Sequence, residues 1–273
     1  MDKILNEFTG TVRRAVDDYD MIQAGDKVAV GVSGGKDSLV LLLALKHLQS
    51  FYPKPFELEA ITIELGFEGM DFAPVAELCQ EKEIPYTCLK TDIKEIVFDV
   101  RKEDNPCSLC AKMRRGALND AIRQRGINKL ALGHHFDDVI ETILMGMLYG
   151  AQVQTMMPKL HSSNFEGMEL IRPLYMVKES DIIAWQKYNQ LEFIQCACRF
   201  TENCTTYENG ASNSKRQEMK ELISRFRSIN PNIDINIFRS VENINLDTII
   251  SYHKGDKYTH FLDGYHDKNK QGE

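Results

Sequence analysis

Apolar positions follow two alternating patterns along the first half of the chain. Residues 3–23 place apolar side chains at a helical period, and Gly25 closes this leading helix. Short apolar runs then alternate with longer segments of helical periodicity. The runs predict strands over residues 27–32, 56–63, 86–89 and 129–132. The longer segments predict helices over residues 36–48, 72–82, 107–125 and 139–149.

Strands separated by helices of this length indicate an α/β fold. Because crossovers between parallel strands are right-handed, we expect a doubly wound parallel sheet with helices on both faces. A further helix over 181–189 lies between short strands at 170–171 and 192–194. We expect three parts: an N-terminal helix (1–25), an α/β domain (26–200) and a small C-terminal helical extension (201–273).

The C-terminal extension has its own pattern. A polar connector over 201–213 leads into predicted helices over 214–226 and 235–244. The stretch 253–273 is polar, and we expect it to be partly disordered.

Composition narrows the class of protein. The chain has 273 residues, of which 43% are hydrophobic, as in a globular protein with a real core. Its formal charge of −7 argues against a protein that coats nucleic acid without specificity. The longest apolar run, 39–45, is too short to span a bilayer, and residues 1–10 lack the layout of a signal peptide. We therefore expect a soluble, cytoplasmic protein with no membrane partner.

The segment GVSGGKDSLV, residues 31–40, joins the first strand to the next helix and predicts a phosphate-binding loop. Such a turn aims backbone N–H groups and a positive helix end at one point. Gly34 and Gly35 allow close approach of the backbone. The loop is not a Walker A motif, because Asp37 stands where Ser or Thr would bind magnesium. A glycine turn that only reverses the chain is the alternative.

The segment GHHFDDVIET, residues 133–142, follows the strand over 129–132. In a doubly wound sheet this turn lies at the same carboxyl edge as the first loop, so His134, Asp137 and Asp138 are candidates to face a nucleotide. Two alternatives remain. The aspartates also suit the first turn of a helix, and a metallohydrolase site is possible although the spacing fits no zinc pattern.

Seven cysteines in a chain without a secretory signal favour metal binding or redox chemistry over a disulfide framework. Cys107 and Cys110 form a C-x-x-C pair that opens a helix, and Cys196 and Cys198 form a C-x-C pair. Three interpretations compete: a redox dithiol, a structural zinc site and an iron–sulfur cluster. Spacing alone favours zinc.

Three segments together resemble one known group of enzymes. SGGKDS, residues 33–38, matches the motif of the PP-loop ATP pyrophosphatases, and LGHHFDDVIET resembles the corresponding segment of PP-loop enzymes that modify tRNA. PCSLCAKMRRG, residues 106–116, closely resembles a segment of the tRNA 2-thiocytidine synthetase (TtcA) family. The resemblance implies a PP-loop fold, cleavage of ATP between its α and β phosphates, and ATP-dependent thiolation of cytidine at tRNA position 32.

The resemblance also implies roles for individual residues. Asp37 would contact magnesium, with Asp137 or Asp138, and Arg114 would be a basic catalytic residue. Cys107 and Cys110, with Cys198 or else Cys196 as third ligand, would hold a [4Fe–4S] cluster. The family pattern there is C-x-x-C, whereas this chain has C-x-C. The pyrophosphate and nucleotide would contact Ser33, Gly34, Gly35, Lys36, Asp37, Ser38, Gly133 and His134.

The implied partners are tRNA and a sulfur donor, either a cysteine desulfurase or free sulfide, and the chain could form a homodimer. Two sets of basic residues could track an RNA backbone, although solvated helix faces would look the same. The sets are Lys112, Arg114, Arg115, Arg123 and Arg125, and Lys215, Arg216, Lys220, Arg225 and Arg227. Two rival functions stay open: a PP-loop ligase with zinc or no metal, and a non-catalytic nucleotide-binding or redox-sensing protein.

Overall fold

The structure is a computed structural model that describes residues 3–67, 69–101, 106–162, 165–189, 215–263 and 265. The predicted strand over 192–194 and the connector over 201–213 lie outside these residues. So do Cys196 and Cys198. The proposed division into three parts stays a prediction.

Helices and strands alternate through most of the described chain, as the apolar pattern predicts. The helices are α1 (Lys3–Asp18), α2 (Lys36–Gln49), α3 (Ala73–Glu81), α4 (Pro106–Gln124), α5 (Phe136–Gly150), α6 (Glu179–Tyr188), α7 (Lys215–Ile229) and α8 (Ile233–Ser240). The strands are β1 (Lys27–Gly31), β2 (Glu57–Glu64), β3 (Tyr86–Lys90), β4 (Lys129–Ala131), β5 (Lys159–His161), β6 (Glu169–Ile171), β7 (Ser251–Lys254) and β8 (Lys257–His260).

The main sheet has six strands in the order β3-β2-β1-β4-β6-β5. Every neighbouring pair is parallel except β5 and β6, which are antiparallel. The chain moves outward from β1 to β3 and then crosses back to β4 on the other side of β1. This reversal creates a switch point between β1 and β4, where ligands bind in open α/β sheets. The predicted fold class is confirmed.

The sheet separates two hydrophobic cores, because alternate residues of a strand point to opposite faces. Val28 and Val30 of β1 belong to the core on one face, with α1, α2, α5 and α6. Ala29 belongs to the other core, with Ile122 of α4. The leucine-rich α2 has little polar surface because it contacts the sheet, α1 and α6.

Three features escape the sequence patterns. Residues Glu95–Arg101 form a π-helix, and β5 adds an antiparallel edge strand. The stretch expected to be partly disordered includes a hairpin formed by β7 and β8. Its turn uses Gly255 at φ +61°, a conformation that glycine adopts without strain. Among the described helices, none is long and apolar enough to cross a membrane.

Candidate nucleotide site

Two turns meet at the carboxyl edge of the sheet. The first connects β1 to α2 over residues 32–35, and the second connects β4 to α5 over residues 132–135. Because β1 and β4 are adjacent parallel strands, both turns leave the sheet side by side. The helices α2 and α5 therefore begin at the same edge, and both present positive N-terminal ends there.

Gly133 brings the two turns into direct contact. A Cβ atom at this position would lie 3.1 Å from the carbonyl carbon of Asp37, 3.2 Å from its oxygen and 3.3 Å from the nitrogen of Ser38. These neighbours are backbone atoms at the start of a helix, so they cannot rotate away as a flexible side chain would. Only glycine allows this approach, and the second turn thus forms a wall of the first loop.

The loop itself has a defined internal geometry. Gly34 has φ +82°, which disfavours other residues. The hydroxyls of Ser33 and Ser38 lie 3.3 Å apart, and Ser38 donates to the carbonyl of Gly35 at 2.9 Å. Since the N-cap residue Gly35 carries no side chain, it does not cap the first N–H groups of α2. Two hydroxyls and a helix N-terminus therefore lie together, as an anion site requires.

Lys36 supplies the positive charge at this loop. Its Nζ lies 2.9 Å from Oδ1 of Asp37 and 2.9 Å from Oε1 of Glu179. Burial disfavours the charged ammonium, but the hydrogen bonds to these carboxylates outweigh burial and raise the pKa of Lys36. The lysine is therefore cationic at neutral pH. Glu179, at the start of α6, was not predicted, because its pairing with Lys36 crosses 143 sequence positions.

The two aspartates of the second turn are held by protein groups. Asp137 accepts from Arg227 at 2.6 Å and from the backbone N–H of Glu179 at 2.7 Å. Burial would raise its pKa, but these two donors lower the pKa of Asp137 below its ordinary value. Asp138 accepts from Arg216 at 2.6 Å and from the backbone N–H of His135 at 3.0 Å. The geometry therefore gives both carboxylates positioning contacts.

A cavity of about 610 Å³ opens beside the loop. Its wall includes Gly31 and Val32 at the end of β1, His134 from the second turn and Arg114 from α4. Burial lowers the pKa of His134, and the nearby cation of Arg172 lowers it further. His134 is thus a neutral imidazole at neutral pH. Of the predicted site residues, His134 and Arg114 line this cavity, whereas residues 33–38 of the loop are not part of its wall.

Comparison with known proteins decides the family. The PP-loop domain model matches residues 6–205. The chain belongs to the PP-loop family.

Within this family it groups with the tRNA-cytidine(32) 2-sulfurtransferases. The protein of that name from Geotalea uraniireducens is 34% identical over 245 residues, which cover 89% of this chain and 93% of the relative. The one from Coxiella burnetii is 37% identical and covers 85% of this chain and 88% of the relative. A solved structure, the U34-tRNA thiolase NcsA from Methanococcus maripaludis with its [4Fe-4S] cluster, matches with a TM-score of 0.68. At 24% identity over 89% of this chain and 80% of that chain, this match shows the fold alone.

The C-terminal helix α7 completes the PP-loop site with positive charge. Arg216, Lys220 and Arg227 all face carboxylates of α5 or α6 rather than solvent alone. These three residues therefore form ion pairs with acidic groups of the site, which neither sequence interpretation of the set includes; contact with RNA stays a prediction. Their spacing of four and seven positions places them on one helical face, and that signal was available in the sequence.

The predicted cysteine pair lies at the start of α4. Cys107 is in its first turn, and the half-buried Cys110 begins its second turn. Cys110 contacts the core on the α4 face of the sheet, and Arg114, one turn further along the helix, lines the cavity. The pair thus opens a helix whose inner face reaches the nucleotide cavity.

We expect Gly133→Ala to damage the phosphate loop. The added methyl group must displace the backbone of Asp37 or Ser38, which costs about 1–3 kcal/mol as overpacking does. Pyrophosphate affinity, measured by calorimetry, should fall about tenfold or more. Gly10→Ala is the matched control, since no atom lies within 4 Å of a Cβ there, and it should leave pyrophosphate affinity unchanged. Equal affinity in both variants would contradict the contact.

We expect the buried Glu141 to make the free energy of unfolding depend on pH. Burial raises its pKa from 4.5 to about 7, and Lys220 and Arg216 offset this only in part, while Asp138 and Asp137 add to it. Because the folded state favours the neutral acid, stability is lost as pH rises from 4.5 to about 7. Glu141→Gln cannot ionise, so its free energy of unfolding relative to the natural protein should improve by about 2 kcal/mol between pH 5 and pH 8.

Chemical denaturation at the two pH values measures this difference. The exposed Glu221→Gln in α7 is the control, and its stability should follow that of the natural protein at both pH values. A parallel pH dependence in Glu141→Gln and the natural protein would show that Glu141 is ionised in the folded state throughout.

Proposed function

We propose that this protein is an ATP-dependent tRNA sulfurtransferase that replaces the C2 oxygen of a cytidine, at tRNA position 32, with sulfur. The observation that carries the proposal is the contact between the two turns, which joins an anion-binding loop to a cavity large enough for a nucleotide. Family membership adds the substrate, since the curated relatives bear the name tRNA-cytidine(32) 2-sulfurtransferase.

The chemistry explains why such an enzyme needs ATP. The C2 oxygen of cytosine is a very poor leaving group, so a sulfur nucleophile alone does not displace it. In the proposed first step this oxygen attacks the α phosphorus of ATP, the bond between the α phosphorus and the oxygen bridging to the β phosphate breaks, and pyrophosphate leaves. In the second step a sulfide attacks C2, and the original oxygen departs with AMP. The first step therefore forms the bond between the base oxygen and the α phosphorus, and the second replaces the carbon–oxygen bond at C2 with a carbon–sulfur bond.

The loop suits the departing pyrophosphate. Backbone N–H groups at the start of α2, the hydroxyls of Ser33 and Ser38, and Lys36 would stabilise its growing charge. Lys36 holds two carboxylates in this structure, so pyrophosphate would replace Glu179 as its partner. Lys220 lies 3.8 Å from Glu179 and would keep that carboxylate compensated.

Asp37 is the proposed contact for the magnesium ion that accompanies ATP. It lies in the first turn of α2, directly after Lys36. Magnesium sites on nucleotides use one or two carboxylates together with phosphate oxygens, so a single aspartate at the loop fits this chemistry. Asp137 and Asp138 would instead position α5, α6 and α7 around the site, since protein donors engage both of their oxygens.

A [4Fe–4S] cluster is the proposed source of the reactive sulfur. Thiolates bind iron well, and a helix N-terminus favours the thiolate form, so the donor set of Cys107 and Cys110 fits the group. The third ligand would be Cys198 or Cys196. When bound, the cluster would supply a site that carries sulfide to the base. Arg114, further along α4, would then lie between the cysteine pair and the cavity.

The tRNA must present an unstacked base to this cavity, as enzymes that modify a base require. Residue 32 of a tRNA lies in the anticodon loop, where bases can leave the stack. The sulfur donor upstream, a desulfurase or free sulfide, and a homodimeric assembly stay predictions.

We expect Asp37→Ala to lower AMP formation in the presence of ATP, magnesium and substrate tRNA by about 100-fold or more, since electrostatic stabilisation of the leaving group is lost. Asp120→Ala, at an exposed position of α4, should keep the natural rate. Unchanged AMP formation in Asp37→Ala would remove its role, and no AMP formation by the natural protein would exclude catalysis of this kind.

We expect Cys110→Ser, purified without oxygen, to lose iron and acid-labile sulfide together with thiolation activity. Cys88→Ser in β3 is the matched control, because Cys88 is a half-buried cysteine that packs against the core on the opposite face of the sheet. It should retain the iron content of the natural protein. Zinc in place of iron in the natural protein would favour a structural metal site and contradict the cluster.

A further inference from the structure

Arg172 is a buried cation whose counter-charge is missing from the described part of the chain. It directly follows β6, and only 9% of its surface is exposed. One nitrogen, Nη1, donates to the carbonyl of Met157, but Nε has no hydrogen-bond partner. Burial lowers the pKa of Arg172, and only Tyr175, which is not a carboxylate, offsets this among the described residues. A buried charge without an opposite charge costs free energy that a bound anion would recover.

The same cavity wall contains a second unsatisfied group. Asn119 of α4 is 6% exposed, and its Oδ1 accepts no hydrogen bond from the residues that the structure describes. Arg172 and Asn119 line the cavity of about 610 Å³ together with His134, whose Nδ1 also lacks a partner. Buried polar atoms normally have partners, so three unsatisfied ones around one cavity indicate a ligand that supplies them.

The donors and acceptors define that ligand. The guanidinium of Arg172 requires an anionic oxygen, whereas the Oδ1 of Asn119 requires an N–H or O–H donor. Pyrophosphate has no ribose or base to donate to Asn119, and the loop already suits it. A nucleoside monophosphate provides both, through its phosphate and its ribose or base. The cavity begins at Gly31 and Val32, where β1 enters the loop, so a nucleotide held by the loop reaches it.

We propose that Arg172, with Asn119, forms a second phosphoryl subsite that holds the α-phosphoryl group of the nucleotide, separate from the loop subsite for pyrophosphate. This proposal rests on the proposed function, in which the α phosphorus is the atom attacked. Arg172 neutralises the non-bridging oxygens of the α phosphate. Meanwhile the bond between the α phosphorus and pyrophosphate breaks, and the bond between the α phosphorus and the base oxygen forms. The same guanidinium then holds AMP until sulfur replaces the oxygen.

Binding of three ligands without tRNA tests the subsite by calorimetry: AMP, adenosine and pyrophosphate. The natural protein should bind AMP about tenfold or more tightly than adenosine, the effect of one charged hydrogen bond. In Arg172→Gln this preference should vanish, while pyrophosphate affinity stays within about twofold. Arg172→Lys should restore part of it. Arg239→Gln, at an exposed position of α8, should behave like the natural protein.

Several outcomes would overturn the proposal. One is an unchanged AMP preference in Arg172→Gln; another is an equal loss of AMP and pyrophosphate binding, which would indicate a damaged fold. A third is unchanged AMP binding with weakened binding of a short anticodon-loop RNA, which would assign Arg172 to an RNA phosphate. The test needs neither cluster nor sulfur transfer, so a failure of thiolation would leave its result intact.

Discussion

The site depends on one backbone contact, the approach of Gly133 to Asp37 and Ser38. It joins the turn after β4 to the loop after β1, and the missing side chain at Gly133 is what permits it. Parallel pairing of β1 and β4 brings the two turns to the same edge, and the absence of a Cβ at Gly133 lets their backbones meet there. As a result, the first turn of α2 lies directly against the turn that carries His134, and His134 in turn lines the cavity.

The charges around this contact allow an anionic ligand to bind although the protein as a whole is acidic. The chain carries a formal charge of −7, and four acidic side chains near the site face helix α7 or its basic residues: Asp137, Asp138, Glu141 and Glu179. Helix α7 compensates them with Arg216, Lys220 and Arg227. Lys36 and Arg172 contribute further positive charge, one at the loop and one in the cavity. In the proposed reaction these two cations would hold the two parts into which ATP is divided, pyrophosphate at the loop and AMP in the cavity.

The sequence predicts much of this arrangement, and the reasons are local. Apolar periodicity locates the strands of the main sheet except β5, together with the helices between them, and the doubly wound topology then places residues 31–40 and 133–142 at one edge. What it misses involves distant partners. The pair Arg216 and Asp138 is separated by 78 positions, and no periodicity connects them. Arg172 lies in none of the motifs found in the sequence, and its importance follows only from its burial in the structure. The β7–β8 hairpin is too polar for its strands to show an apolar pattern.

In the proposed reaction the base oxygen leaves as part of AMP. The most direct test uses a substrate RNA that carries ¹⁸O at C2 of the target cytidine, incubated with the anaerobically purified protein, ATP, magnesium and sulfide. Mass spectrometry of the products should find 2-thiocytidine in the RNA and one heavy oxygen in the phosphate of AMP. Formation of 2-thiocytidine with unlabelled AMP would contradict the account, because the oxygen would then have left without being adenylated.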